Sequence, residues 1–209
     1  IFSQLHSESS GLSVAEYLAV SYPTILLWRN ASNRVQKSLE INRALLHHKP
    51  IRPIDIIYSR IILEFITATA AFIFLFVIFI ALGICQMPAD LFAMVMGYFL
   101  ILWFSFAFVM IMAALSELSE AVERTSHIIL YLMLPFSGVF VAAYMVPQPF
   151  RDYLLLFPLV SAVEYFHHGY YGSRMLTYYH LDYTIIVITV MTFVGFALTQ
   201  VAIKRVQAA

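Results

Sequence analysis

Cysteine occurs once in this chain of 209 residues, at Cys85, so no internal disulfide framework exists. Charge is scarce as well: Asp, Glu, Lys and Arg make up 11% of the residues and balance to a formal net charge of zero. No charge run points to a nucleic-acid partner. There is no phosphate-binding Walker loop, no nucleophile elbow, no HExxH and no paired-carboxylate signature. The sequence therefore offers no catalytic site, no metal site and no site for ATP hydrolysis of its own. Hydrophobic residues fill the space, at 62% of the chain, more than one soluble core of this size can hide.

Those residues fall into long runs. Residues 57–84, 90–116, 127–147 and 183–204 each suit a membrane span, and 12–30 forms a weaker one interrupted by Glu16 and Pro23. A spanning helix needs about 20 mostly apolar residues to cross about 30 Å of hydrocarbon. The stretch IILEFITATAAFIFLFVIFIALGI (61–84) lacks the alternation of a barrel strand, so the fold is all-α and polytopic, with five spans in one membrane domain.

The basic residues set the expected orientation. Arg29, Arg34, Lys37, Arg43, Lys49, Arg52 and Arg60 flank or fill the first connection, Arg124 lies in the third, and Lys204 and Arg205 follow the last span. Only Arg151 and Arg174 fall on the other side, which makes the first side cytosolic and ends the chain in the cytosol. The chain then starts outside, in SQLHSESSG and without a methionine, which predicts an earlier span and six helices in all.

Several constellations stand out. RVQKSLEINRALLHH (34–48) has a one-sided apolar pattern and predicts a short amphipathic helix closed by Pro50 and Pro53. Arg60 and Glu64, one turn apart, predict an ion pair, either facing a polar path or partner subunit or snorkelling to the interface. Pro135, followed by Ser137 and Gly138, predicts a kink in the fourth span. Residues 148–182 lie outside the membrane by topology yet are rich in aromatics, which predicts short helices lying on or dipping into the outer interface. There Glu164, His167, His168 and Tyr170 form either a hydrogen-bonding surface for a sugar or lipid headgroup, or interfacial packing. Thr67, Ala68, Ala70, Ala71, Ala113 and Ala114 are small enough for close helix packing or are lipid-facing filler. Asn30-Ala31-Ser32 matches a glycosylation sequon but falls on the cytosolic side.

WRNASNR (28–34), PIDIIYSRIILEF (53–65), PFSGVF (135–140) and EYFHHGYYG (164–172) resemble the inner-membrane permease of capsular polysaccharide exporters, in the ABC-2 class of transporters (type V ABC exporters). The resemblance runs along nearly the whole chain. It departs at the front, where the family has an amphipathic cytosolic helix and a first membrane helix.

The resemblance implies a homodimer with two separate ATP-binding subunits, which hold the ATP and Mg, and a lipid-linked polysaccharide substrate. A periplasmic co-polymerase and an outer-membrane channel would receive the polymer. No cofactor is expected on this chain. The resemblance also matches the family's coupling helix to residues 38–49, putting Arg43, His47, His48 and Lys49 at the ATPase, and its outer re-entrant helices to 150–172. Tyr17, Tyr22, Trp28 and Arg29 are candidate linings of the polysaccharide path, or lipid-facing anchors. An ABC-2 permease for O-antigen or teichoic acid, a drug or lipid exporter, a membrane-embedded transferase using His167 or His168, and a purely structural subunit are the competing readings.

Overall fold

Apolar sequence with few helix breakers gives long helices, and their ends fall where capping chemistry allows. The computed structural model describes residues 13–42 and 52–208. Helix α1 (Val14–Val35) leads to a single turn, α2 (Ser38–Ile41), through Lys37 in the left-handed conformation at φ 54°. Helix α3 (Pro53–Ala81) starts with Pro53 in its first turn, where the missing N–H costs nothing, and with Asp55 against the positive end of the helix dipole. The Asp90 carboxylate accepts from the Ala93 N–H at 3.0 Å and caps α4 (Leu91–Leu118). Helices α5 (Glu120–Leu132), α6 (Phe150–Leu155), α7 (Pro158–Tyr171) and α8 (Leu181–Ala208) complete the order.

Three of the described helices, α3, α4 and α8, are long and apolar enough to cross a membrane. Helix α1 has the length but carries Glu16, Ser21, Pro23 and Thr24. The stretch expected to be a fourth crossing, 127–147, is not one helix. Helix α5 begins in polar sequence at Glu120 and stops at Leu132, and Pro135–Ser137 forms a 3-10 turn. Gly138 then takes φ +74°, a second 3-10 turn covers Ala143–Met145, and the Gln148–Pro149 peptide is cis. Proline and glycine this close together end the helix instead of bending it.

Helix α4 is the centre, packed against α8, α7 and α1. Its contact with α7 brings backbone against backbone. A Cβ on Gly97 would lie 2.5 Å from the Phe166 Cα, and one on Gly169 would lie 2.5 Å from the Met94 Cα. Two glycines on facing helices thus bring the backbones together, as small residues do in membrane proteins. Of the small residues singled out earlier, Ala113 and Ala114 on α4 are buried, whereas Thr67, Ala70 and Ala71 on α3 face outward.

Candidate functional site

Polar groups gather at the two ends of this bundle. At the end carrying most of the basic residues, α2 is docked by hydrogen bonds to the last turn of α4. The Leu39 N–H donates to Glu117 Oε1 at 2.8 Å and the Lys37 N–H to Ser116 Oγ at 3.2 Å. The Lys37 ammonium reaches Glu40 at 2.7 Å and Glu123, on α5, at 3.7 Å. The hydrogen bond that this ammonium donates to the Glu40 carboxylate holds it protonated above its usual range. A cleft of about 790 Å³ opens here, lined by Lys37, Glu40, Glu120, Glu123, Arg124 and His127. Gln36 and Ser126, joined at 2.7 Å, tie α1 to α5, and Arg205 of α8 donates to the Leu118 carbonyl.

At the opposite end, α1 is fastened to α7 by a buried polar chain. The Tyr170 hydroxyl donates to Glu16 Oε1 at 2.8 Å and accepts from the Gln86 N–H at 2.9 Å. The Arg174 guanidinium donates to the same carboxylate oxygen at 3.0 Å. His167 Nε2 shares a 2.7 Å hydrogen bond with Ser21 Oγ. Glu164 takes two backbone N–H groups from the irregular segments on either side, Ala143 at 2.9 Å and Tyr178 at 3.1 Å. Buried non-helical backbone must find such partners, and one carboxylate supplies both.

Beside this chain lies a cavity of about 410 Å³, lined by residues that include Arg151, Asp152, His168, Thr177, Tyr178 and Tyr179. The Arg151 guanidinium stacks 4.1 Å above the Tyr178 ring, and its Nε donates to the Val146 carbonyl at 3.1 Å.

The residues singled out from sequence divide accordingly. Glu64 pairs with Arg34 at 3.2 Å and not with Arg60, whose guanidinium donates to the Arg34 carbonyl instead. Arg34 stands in the last turn of α1, which packs on α3, so the expected neighbour one turn back is outcompeted. Glu164, His167 and Tyr170 are buried and form no outer surface; only His168 borders open space, in the cavity. Tyr17 and Trp28 are buried too, Tyr17 stacked on Tyr171 and Trp28 edge-on to Phe108, so neither faces lipid or an open path. Tyr22 is 43% exposed, and Arg29 lies over the Tyr131 ring at 4.5 Å. Arg43, His47, His48 and Lys49 lie outside the described residues, as does most of the expected helix 38–49. Sequence reasoning passed over Glu16, Ser21 and Arg174. Glu16 was noted only as a flaw in a span, although a carboxylate inside an apolar segment is itself the signal to seek a partner.

The membrane-domain pattern of the ABC-2 type transporter family matches residues 2–171, and the chain belongs to that family. Within it, the chain is similar to the capsule polysaccharide export inner-membrane protein CtrC of Neisseria meningitidis serogroup B, with 32% identity over 198 residues covering 95% of this chain and 75% of the relative. Protein BexB of Haemophilus influenzae, of the same description, is 30% identical over 177 residues, covering 85% and 67%. The polysialic acid transport protein KpsM of Escherichia coli is 23% identical over 194 residues, covering 93% and 75%.

Proposed function

We propose that this chain is the membrane-spanning subunit of an ABC transporter that exports lipid-linked capsular polysaccharide across the bacterial inner membrane. The observation that carries this is collinear similarity along 95% of the chain to a protein named for capsule polysaccharide export. A separate ATP-binding subunit holds and hydrolyses the ATP with its Mg; the chain itself is the transport permease and carries out no hydrolysis. Two copies of this chain and two ATP-binding subunits make the working unit, with a periplasmic co-polymerase and an outer-membrane channel downstream. The basic end and the C-terminus face the cytosol, as the crowding of Lys and Arg favours.

The coupling step starts at residues 38–49. ATP binding closes the partner subunits, and this segment carries the motion into the bundle. Support comes from its first turn: α2 is hydrogen-bonded to Ser116 and Glu117 of α4 and ion-paired through Lys37 to Glu123 of α5. A push on α2 therefore reaches both helices. The helices at 150–172 form the outer re-entrant layer, where the polymer leaves.

In cells lacking this gene, lipid-ended polysaccharide accumulates in the cytosol and the surface is bare, and the full-length gene restores the capsule. An unchanged capsule would overturn the reading. Replacing His47, His48 and Lys49 together removes the contact with the ATP-binding subunit; undiminished co-purification of the two would refute that contact.

A further inference from the structure

The cavity of about 410 Å³ beside α6 and α7 has the chemistry of a carbohydrate site with one fixed cation. Its volume falls within the about 300–1,000 Å³ of small-molecule sites and admits a sugar ring. Arg151 is held at two points, its face on Tyr178 at 4.1 Å and its Nε on the Val146 carbonyl at 3.1 Å. Among the described residues no carboxylate pairs with it. A guanidinium fixed in this way keeps its two terminal nitrogens for the parallel, bidentate grip that suits a carboxylate.

The rest of the lining supplies what a sugar needs around its acid group. Asp152 accepts from hydroxyls, and Thr177, bonded to His168 Nδ1 at 3.3 Å, presents a second polar edge. Tyr179 offers a ring to the C–H side of a pyranose, with the His168 ring 5.6 Å away and tilted 58° to it, while Tyr178 holds Arg151 on one face. Asp152 disfavours a bare phosphate, which brings no hydroxyls to bond it. The cavity is placed firmly, because the Tyr178 N–H donates to the buried Glu164 at 3.1 Å.

We propose that this cavity binds an acidic sugar unit of the exported polymer, with Arg151, held on Tyr178, gripping its carboxylate and Tyr179 against its ring. The inference rests on the export reading and adds a ligand class and a place to it. The site lies at the end of the bundle opposite the basic residues, so it takes hold of the chain as it emerges.

The test uses the intact transporter, this subunit with its ATP-binding partner, in lipid nanodiscs. Binding of sialic acid and glucuronic acid tetramers is measured by calorimetry, each beside its methyl ester, which removes the charge and adds one methyl group. At least one acid binds at least about tenfold tighter than its ester, as expected for a charged hydrogen-bonded pair. Arg151→Gln erases the gap, and Arg151→Lys restores only part of it. Tyr179→Leu, which leaves Arg151 in place, weakens acid and ester alike and serves if the arginine variants fail to fold.

Acid and ester binding equally in both pairs, or a gap that survives Arg151→Gln, overturns the proposal. So does loss of the acid's binding when phosphatidylglycerol replaces phosphatidylcholine in the disc, which would make this a headgroup site. Capsule lost on gene deletion with no acid–ester gap refutes the site and leaves export standing. A gap in a transporter whose deletion spares the capsule refutes the capsule reading and keeps the site.

Discussion

Helices α3 and α4 are almost the same length and almost equally hydropathic, yet 61% of the apolar window of α4 is buried and only 11% of that of α3. Against lipid, leucine gains nothing by leaving one apolar surface for another, so hydropathy cannot sort helices into centre and rim. Other features do. Helix α4 carries Gly97 on the side that meets Phe166, caps itself with Asp90, and presents Ser116 and Glu117 to α2. Helix α3 turns Ile62, Leu63, Ile66, Ile73, Phe74 and Val77 outward. Close approach and hydrogen bonding, more than apolarity, choose the inner helix.

That contrast is open to attack by substitution. Gly169→Leu drives a side chain into the α4 backbone at Met94, where no flexible atom can yield, and costs about 3 kcal/mol or more. Loss of folded protein in detergent is the expected readout. Ala70→Leu and Ala71→Leu on the outward side of α3 leave the protein folded and melting as before. If the α4–α7 contact and the outward face of α3 respond alike, the division into centre and rim is wrong.

Smaller effects come from the polar ties. Glu164→Gln replaces one of two accepting oxygens with a donor facing a backbone N–H, at a cost of about 1–3 kcal/mol. Faster proteolysis within 143–149 or 175–180 would register it. Glu16→Gln removes the charge that Arg174 and Tyr170 share and costs about 1–2 kcal/mol. A double-mutant cycle with Arg174→Gln should then show coupling between the two positions. Arg34→Gln, at a pair whose arginine side chain is 70% exposed, shifts the melting midpoint by less than about 2 °C. A large shift there would mean that the rim helix depends on electrostatics after all.

The sequence disclosed the fold to the extent that local rules decide it. Apolar length gave α3, α4 and α8, and the span expected from residue 90 begins behind the Asp90 cap, whereas Pro53, read as closing the helix before it, opens α3. Pro135 and Gly138 announced a disturbance, but whether a kink or a full stop depended on the irregular segment beyond finding partners. One of those partners, Glu164, sits 21 residues away from Ala143 in the chain. The same limit explains the site. Glu64 was assigned the nearest arginine in sequence, whereas the fold brings in Arg34, 30 residues away. Tyr170 and His167 read as interfacial because aromatic residues favour interfaces, and their burial became visible only with Glu16 and Ser21 in place.

The glycine contact between α4 and α7 also has a mechanical meaning. Helices whose backbones touch cannot roll over one another on compliant side chains, so α7 must travel with the end of α4 that carries Gly97. The 28 residues of α4 make a rod about 42 Å long. Over that length, a tilt of about 5° about one end would move the other sideways by about 4 Å. The rod runs from the α2 docking turn at one end of the protein to the sugar-sized cavity side at the other, and so acts as a lever arm that needs no hinge of its own.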